Sequence, residues 1–286
     1  MILEIDAGNS RIKWRIVGEN ELHPDVVVAG NVLTAVTSTS GAGGLEQIIL
    51  DLDRHIKNIN RVKVSSVRGE QFQADLVAIL NEKWQLQPEF AEVEKSCGGV
   101  TNSYINVSMM GIDRWLALLA AYKKTANACC VLDFGSAITF DSVDAEGIHQ
   151  GGYIVPGFHL MQESLARKTP ALNIALQDLV SLEPGQNTQE AISNGISTMV
   201  TGFAERCYKQ FLEKNIKGIS QQGMQGMQGI EAIGNIEGNA QQVDSNEVEV
   251  NCFLTGGDAM LASKNLAWPH RVEKDLVLEG LSIALP

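Results

Sequence analysis

No apolar run in this 286-residue chain is long enough to cross a bilayer as a helix. The first residues lack the basic flank and small-residue cleavage pattern of a secretory signal, so a cytoplasmic protein with no membrane partner is expected. The five cysteines, Cys97, Cys129, Cys130, Cys207 and Cys252, are odd in number and form no CxxC pair. Neither a disulfide framework nor a zinc site is indicated, which fits a reducing compartment. No basic cluster stands out and the net charge is −12. Nucleic acid and anionic lipid, which are held by Lys/Arg patches, are therefore not expected partners. The glycine patterns of the P-loop and Rossmann folds are missing as well.

What is present is the make-up of a globular protein, 44% hydrophobic and 20% charged, in a chain that suits one large domain or two ordinary ones. Its organising stretch is VLDFGSAITFD, residues 131–141. An apolar, β-branched strand ends at Asp133, Gly135 and Ser136 turn, and a second run returns. Glycine lets backbone approach a bound oxyanion, and the turn's N–H groups and hydroxyl can donate to it. Asp133 would hold a cation or its water. Taken singly, such a turn is weak evidence, because most are only hairpins. The device occurs twice, however: LEIDAGNSRIKW, residues 3–14, has Asp6, then Gly8, Asn9 and Ser10, then a returning strand. Two such hairpins nearly half a chain apart suggest a duplicated α/β unit whose turns face each other across a cleft. An acidic protein holding a polyanion there needs metal ions in the site.

Between the hairpins, alternation and periodicity predict strands at residues 23–29, 61–67 and 88–93, and helices at 45–57 and 70–84, with a small-residue loop at 34–44. That order is α/β with a mixed sheet. Residues 96–110 are polar and irregular and end in MMGIDRW, after which 114–122 is strongly helical. Asp113 falls at or just before that helix N-terminus, either as a cap or as a carboxylate facing the cleft. A kinase needs such a group to accept a hydroxyl proton. Arg114 is either a surface ion pair or an anchor for a substrate carboxylate. After the second hairpin come a strand at 147–155, a helix at 158–168, a loop at 183–187 and a long helix at 188–212. Residues 219–243, rich in Gln and Gly, read as a flexible inserted loop. The segment VEVNCFLTGGDA, residues 248–259, is a strand, a Thr255-Gly256-Gly257 turn and a helix start, where backbone could lie flat against adenine.

DAGNSRIKW, GIDRW, DFGSAITFD, GGYIVPG and FLTGGDA resemble, in order and spacing, the type III pantothenate kinases, members of the actin, hexokinase and acetate- and sugar-kinase superfamily. The resemblance implies two ribonuclease-H-like domains, residues 1–112 and 113–286 (with 215–247 as the insertion), and nucleotide in the cleft between them. It implies ATP-dependent phosphorylation of pantothenate to 4'-phosphopantothenate, the first committed step toward coenzyme A. By position, Asp6, Ala7, Gly8, Asn9, Ser10, Arg11, Ile12 and Lys13 would form the first phosphate segment, with Asp6 near Mg²⁺. Ser136 would contact ATP phosphates and Asp133 a monovalent cation, K⁺ or NH₄⁺. Tyr104, Gly111, Ile112, Asp113 and Arg114 would bind pantothenate, with Asp113 as the base. Thr188 would reach it from the partner subunit of a homodimer. Ser10 and Ser136 stand where the family commonly has Thr; the hydroxyl is kept and the methyl is lost. The match around Thr188 is loose. Two other functions fit the same residues: a non-catalytic accessory factor for transcription, and a kinase acting on another small hydroxy acid.

Overall fold

The computed structural model describes residues 1–18, 26–33, 52, 59–168, 181–215 and 251–286. Strands β1 (Ile2–Ala7), β2 (Arg11–Val17) and β3 (Val26–Leu33) form an antiparallel meander. Strand β4 (Arg61–Ser66) adds parallel to β1, helix α1 (Glu70–Trp84) follows, and β5 (Pro88–Phe90) adds parallel to β4. The order is β3-β2-β1-β4-β5. A short ribbon of β6 (Ser96–Cys97) and β7 (Val100–Thr101) leads to helix α2 (Ile112–Thr125).

The pattern then repeats. Strands β8 (Cys129–Phe134), β9 (Ala137–Val143) and β10 (His149–Pro156) form a second antiparallel meander. Helices α3 (Phe158–Lys168) and α4 (Thr188–Asn215) precede β11 (Asn251–Thr255), which joins β8 in parallel. Helix α5 (Ala259–Ser263) and strand β12 (Arg271–Val272), parallel to β11, complete an order of β10-β9-β8-β11-β12. Helix α6 (Leu276–Ala284) closes the chain. Strand order and strand direction coincide in the two sheets. This is the ribonuclease-H-like sheet built twice in an α/β protein.

The inward positions explain the packing. Leu3, Ile5 and Ala7 alternate along β1 with Ile12, Trp14 and Ile16 opposite on β2, and α1 covers them with Phe72, Leu76 and Leu80 at a four-residue spacing. Helix α2 is buried nearly all round, with Ile112 and every residue from Arg114 to Ala121 inside, so it cannot be a surface helix. It packs along α6 and on β8 and β9, while α6 also touches β1 and β4. These two helices therefore lie between the sheets, and α2 begins where the two hairpins meet.

Helices at residues 70–84 and 158–168 match the periodicity reading residue for residue. The α2 helix starts earlier than residue 114, which puts Asp113 inside its first turn with Gly111 ahead of it. Its carboxylate takes the neighbouring Arg114 N–H at 2.8 Å and is not the N-cap. Of the strand expected at 88–93, only Pro88–Phe90 pairs; the rest of the ladder stops at the sheet edge. The expected loop at 34–44, the Gln/Gly segment at 219–243, and the helix at 45–57 apart from buried Leu52 lie outside the described residues, as do residues 23–25 of the expected third strand.

Candidate active site

The β1–β2 and β8–β9 turns face one another. Their tips touch directly, with the Ser10 and Ser136 hydroxyls 2.7 Å apart. Below this contact lies a cleft of about 600 Å³ lined by Asp6, Gly8, Asn9, Ser10, Arg11 and Lys13 from the first hairpin and by Asp133, Gly135 and Ser136 from the second. Asp113 reaches it from α2, His159, Leu160 and Glu163 from α3, and Gly256, Gly257 and Asp258 from the turn after β11. Three acidic side chains far apart in sequence, Asp6, Asp113 and Asp133, therefore share one cleft. Each of Asp6 and Asp133 is the next-to-last residue of its strand, and β1 and β8 each lead into one of the two facing hairpin turns.

Burial raises all three carboxyls. Burial pushes Asp6 up to about 7; the charges of Asp113 and Asp275 push in the same direction and Lys13 opposes them. Burial likewise brings Asp133 to about 7, aided by Asp113, Asp6 and Asp258 and opposed by Lys13. Asp113 is raised by burial and by Asp141, against the Arg114 N–H bond and charge. A raised carboxyl is a stronger base than a solvated one. Lys13 also donates to the Lys274 carbonyl at 2.8 Å, which ties the first hairpin to the segment ahead of α6.

The cleft carries Asp6, Asp113, Asp133, Glu163 and Asp258 against Arg11 and Lys13. Excess negative charge in the cleft disfavours a bare polyphosphate and suits one that arrives with cations. Among the described residues no three His, Cys, Asp or Glu side chains converge closely enough to hold a metal by themselves. The donor set therefore fits a hard cation that takes one or two carboxylates and completes its shell with phosphate oxygens and water.

Gly256 sits at φ +96°, and a Cβ there would meet the Asp133 carboxylate and the Phe134 backbone. Gly256→Ala is expected to cost about 1–3 kcal/mol of stability from backbone strain. Thermal melts check this, and an unchanged melting temperature would mean that the turn relaxes freely.

The remaining expected site residues are arranged as follows. Ala7 and Ile12 are buried beneath the first hairpin, holding its shape and leaving the cleft to their neighbours. Gly111 and Ile112 start α2 beside Asp113. Arg114 is buried and grips Asp141 in two hydrogen bonds, Nε to Oδ2 at 2.7 Å and Nη2 to Oδ1 at 2.6 Å; its Nη1 donates to the Tyr104 hydroxyl at 3.0 Å. The surface-ion-pair reading of Arg114 is thus overturned, because α2 buries it. Thr188 is exposed at the first position of α4 and does not line the cleft of its own chain. Sequence reasoning missed Glu163 and His159, which carry no motif. It missed Asp141 and Asp258 as well, although both lie inside the quoted segments DFGSAITFD and FLTGGDA.

Two ribonuclease-H-like sheets, hairpin tips that meet over a cleft and a carboxylate at a buried helix start are the parts a phosphotransferase needs. The model of one family, type III pantothenate kinase, matches residues 2–210. A type III pantothenate kinase of Pseudomonas aeruginosa is 34% identical over 295 residues, covering 100% of this chain and 99% of the relative. One from Azotobacter vinelandii is 32% identical, with the same coverage. The chain belongs to the type III pantothenate kinase family. A solved Campylobacter jejuni structure, described as a candidate transcriptional activator of the Baf family, shares the fold with a TM-score of 0.52 at 17% identity, covering 98% of this chain and 94% of that one.

Proposed function

We propose that the chain carries out its family's reaction, transfer of the ATP γ-phosphoryl group to the primary alcohol of pantothenate, with Asp113 as the base. The convergence of Asp6, Asp113 and Asp133 under two serine-tipped hairpins supports this reading. The Asp113 carboxylate takes the hydroxyl proton, the freed oxygen attacks the γ-phosphorus in line, and ADP leaves. Backbone N–H groups around Gly8–Ser10 and Gly135–Ser136, together with both serine hydroxyls, hold phosphate oxygens. Lys13 adds positive charge to the same segment. Mg²⁺ beside Asp6 and K⁺ or NH₄⁺ beside Asp133 would supply neutralisation of the phosphate charge. Tyr104, Gly111, Ile112 and Arg114 hold the pantothenate. The accessory-factor and other-hydroxy-acid readings are not favoured, since full-length relatives bear the pantothenate kinase name.

The division at residues 112 and 113 belongs to the same proposal, because α2 starts there between the sheets. So does a homodimer in which Thr188 of the partner subunit completes the substrate site. Tyr153, Ile154 and Met199, apolar side chains left exposed on β10 and α4, support a covered face. A cytoplasmic location fits five free thiols and the fact that no helix among the described residues is long and apolar enough to cross a membrane.

A coupled assay for ADP release tests the activity. Release is expected with pantothenate, Mg²⁺ and K⁺ together, and a sharp fall when either cation is omitted. ADP release indifferent to pantothenate, or faster with another hydroxy acid, would overturn the assignment.

A pH dependence follows from the raised carboxyls. Asp6 and Asp133 bind protons more tightly folded (about 7) than at their ordinary 3.8. Their contribution to ligand-free stability is therefore fully present below about pH 4 and lost as the pH rises through about 7. Cations need the ionised forms, so Mg²⁺ plus K⁺ should raise the melting temperature at about pH 8 and hardly at about pH 5. Equal shifts at both pH values would remove these two carboxylates from the cation site.

A further inference from the structure

Behind the proposed substrate contacts lies a buried polar chain that the phosphoryl transfer itself does not use. Asp141 is 2% exposed and His149 is 1% exposed. Besides Arg114, the Asp141 Oδ1 has His149 Nε2 at 3.0 Å. A carboxylate only accepts, so the ring donates from Nε2; in the neutral ring Nδ1 then accepts from the Ser103 hydroxyl, 3.1 Å away. The His149 ring also stacks on Tyr104, with centroids 5.8 Å apart and planes at 21°. The chain runs Arg114, Asp141, His149, Ser103 and returns through Tyr104, whose hydroxyl accepts from Arg114. Strand β10 makes room for it: a Cβ at Gly152 would strike both the Asp141 carboxylate and an Arg114 terminal nitrogen.

Three of the five guanidinium N–H groups are used, leaving one on each terminal nitrogen. Two parallel N–H groups can take a carboxylate together only if the guanidinium plane is held. The charge of Arg114 is already balanced by Asp141, so its pull on a ligand depends on aim more than on net charge.

We propose that His149 is a positioning residue for the acid end of the substrate: through Asp141 it fixes the plane of Arg114, and through Ser103 and Tyr104 it fixes the loop facing the same ligand. This rests on the reading that Arg114 and Tyr104 contact pantothenate. A purely structural histidine would lower stability, or lower kcat and raise both KM values together. A positioning one acts on a single substrate.

Steady-state kinetics of the full chain test it. His149→Phe keeps ring volume and loses both hydrogen bonds; the KM for pantothenate should rise about tenfold, with kcat and the ATP KM within about twofold. His149→Gln, which restores an N–H donor, should recover to within about threefold of wild type. Ser103 is exposed, so Ser103→Ala leaves the fold intact and should raise only the pantothenate KM, by about threefold; it carries the test if His149→Phe does not fold. A pantothenate KM unchanged in both variants, or an equal rise for ATP, overturns the proposal. Arg114→Gln separates the two layers. If that variant leaves the pantothenate KM unmoved, the contact reading falls and this inference falls with it. If it moves the KM and neither His149→Phe nor Ser103→Ala does, only the role of His149 falls.

Discussion

Asp113→Asn is expected to lower kcat by on the order of 10²–10⁴, the range associated with a positioned general base. The amide is isosteric and keeps an oxygen for the Arg114 N–H bond, so the start of α2 has no reason to shift. What is lost is a group able to take a proton. The variant should fold at least as well as the parent, because Asp113 raises both Asp6 and Asp133 by its charge and an uncharged amide relieves that repulsion. The ATP KM should change little, since the hairpins and Lys13 are untouched. A kcat within about threefold of wild type, in a variant with an unchanged melting temperature, would remove Asp113 as the base.

Asp141→Ala should produce the largest stability loss among substitutions close to the cleft. Its carboxylate meets Arg114 twice and His149 once, in a pocket closed by β10. Removing it leaves a buried guanidinium without its hydrogen-bonded carboxylate, a defect that costs about 3–5 kcal/mol. At about 2–4 °C per kcal/mol for domains of 150–250 residues, the melting temperature should fall by about 6–20 °C. The double variant Asp141→Ala/Arg114→Met removes both charges and should recover a good part of that loss. A fall of less than about 3 °C for the single variant would mean that water reaches Arg114 and the pair is not closed.

Residues that signal through local rules were legible. The helix at 70–84 was visible in the spacing of Phe72, Leu76 and Leu80, and both Asp-x-Gly hairpins in their alternation and turn residues. Of the two glycines in the Thr255-Gly256-Gly257 turn, the structure holds Gly256 at positive φ. The fate of Arg114 was not legible. An arginine at the start of a helix looks exposed unless the helix is known to lie between two sheets. His149 had no signal at all: a lone histidine in a polar strand acquires meaning only when β10 folds back beside β9 and sets it against Asp141. Thr188 was expected at the substrate, and its own chain leaves it on the surface.

Sequence alone was enough for the elements, the doubled hairpin and the family resemblance, because turn stereochemistry and hydrophobic period act over a few neighbouring residues and leave their pattern in the order of side chains. Tertiary structure alone decided that Asp6, Asp113 and Asp133 share a cleft, that Ser10 meets Ser136 and that Arg114 is neutralised from within. Each of those depends on sheet pairing and on two helices wedged between sheets, contacts between segments so far apart in the chain that no local pattern encodes the distance between them.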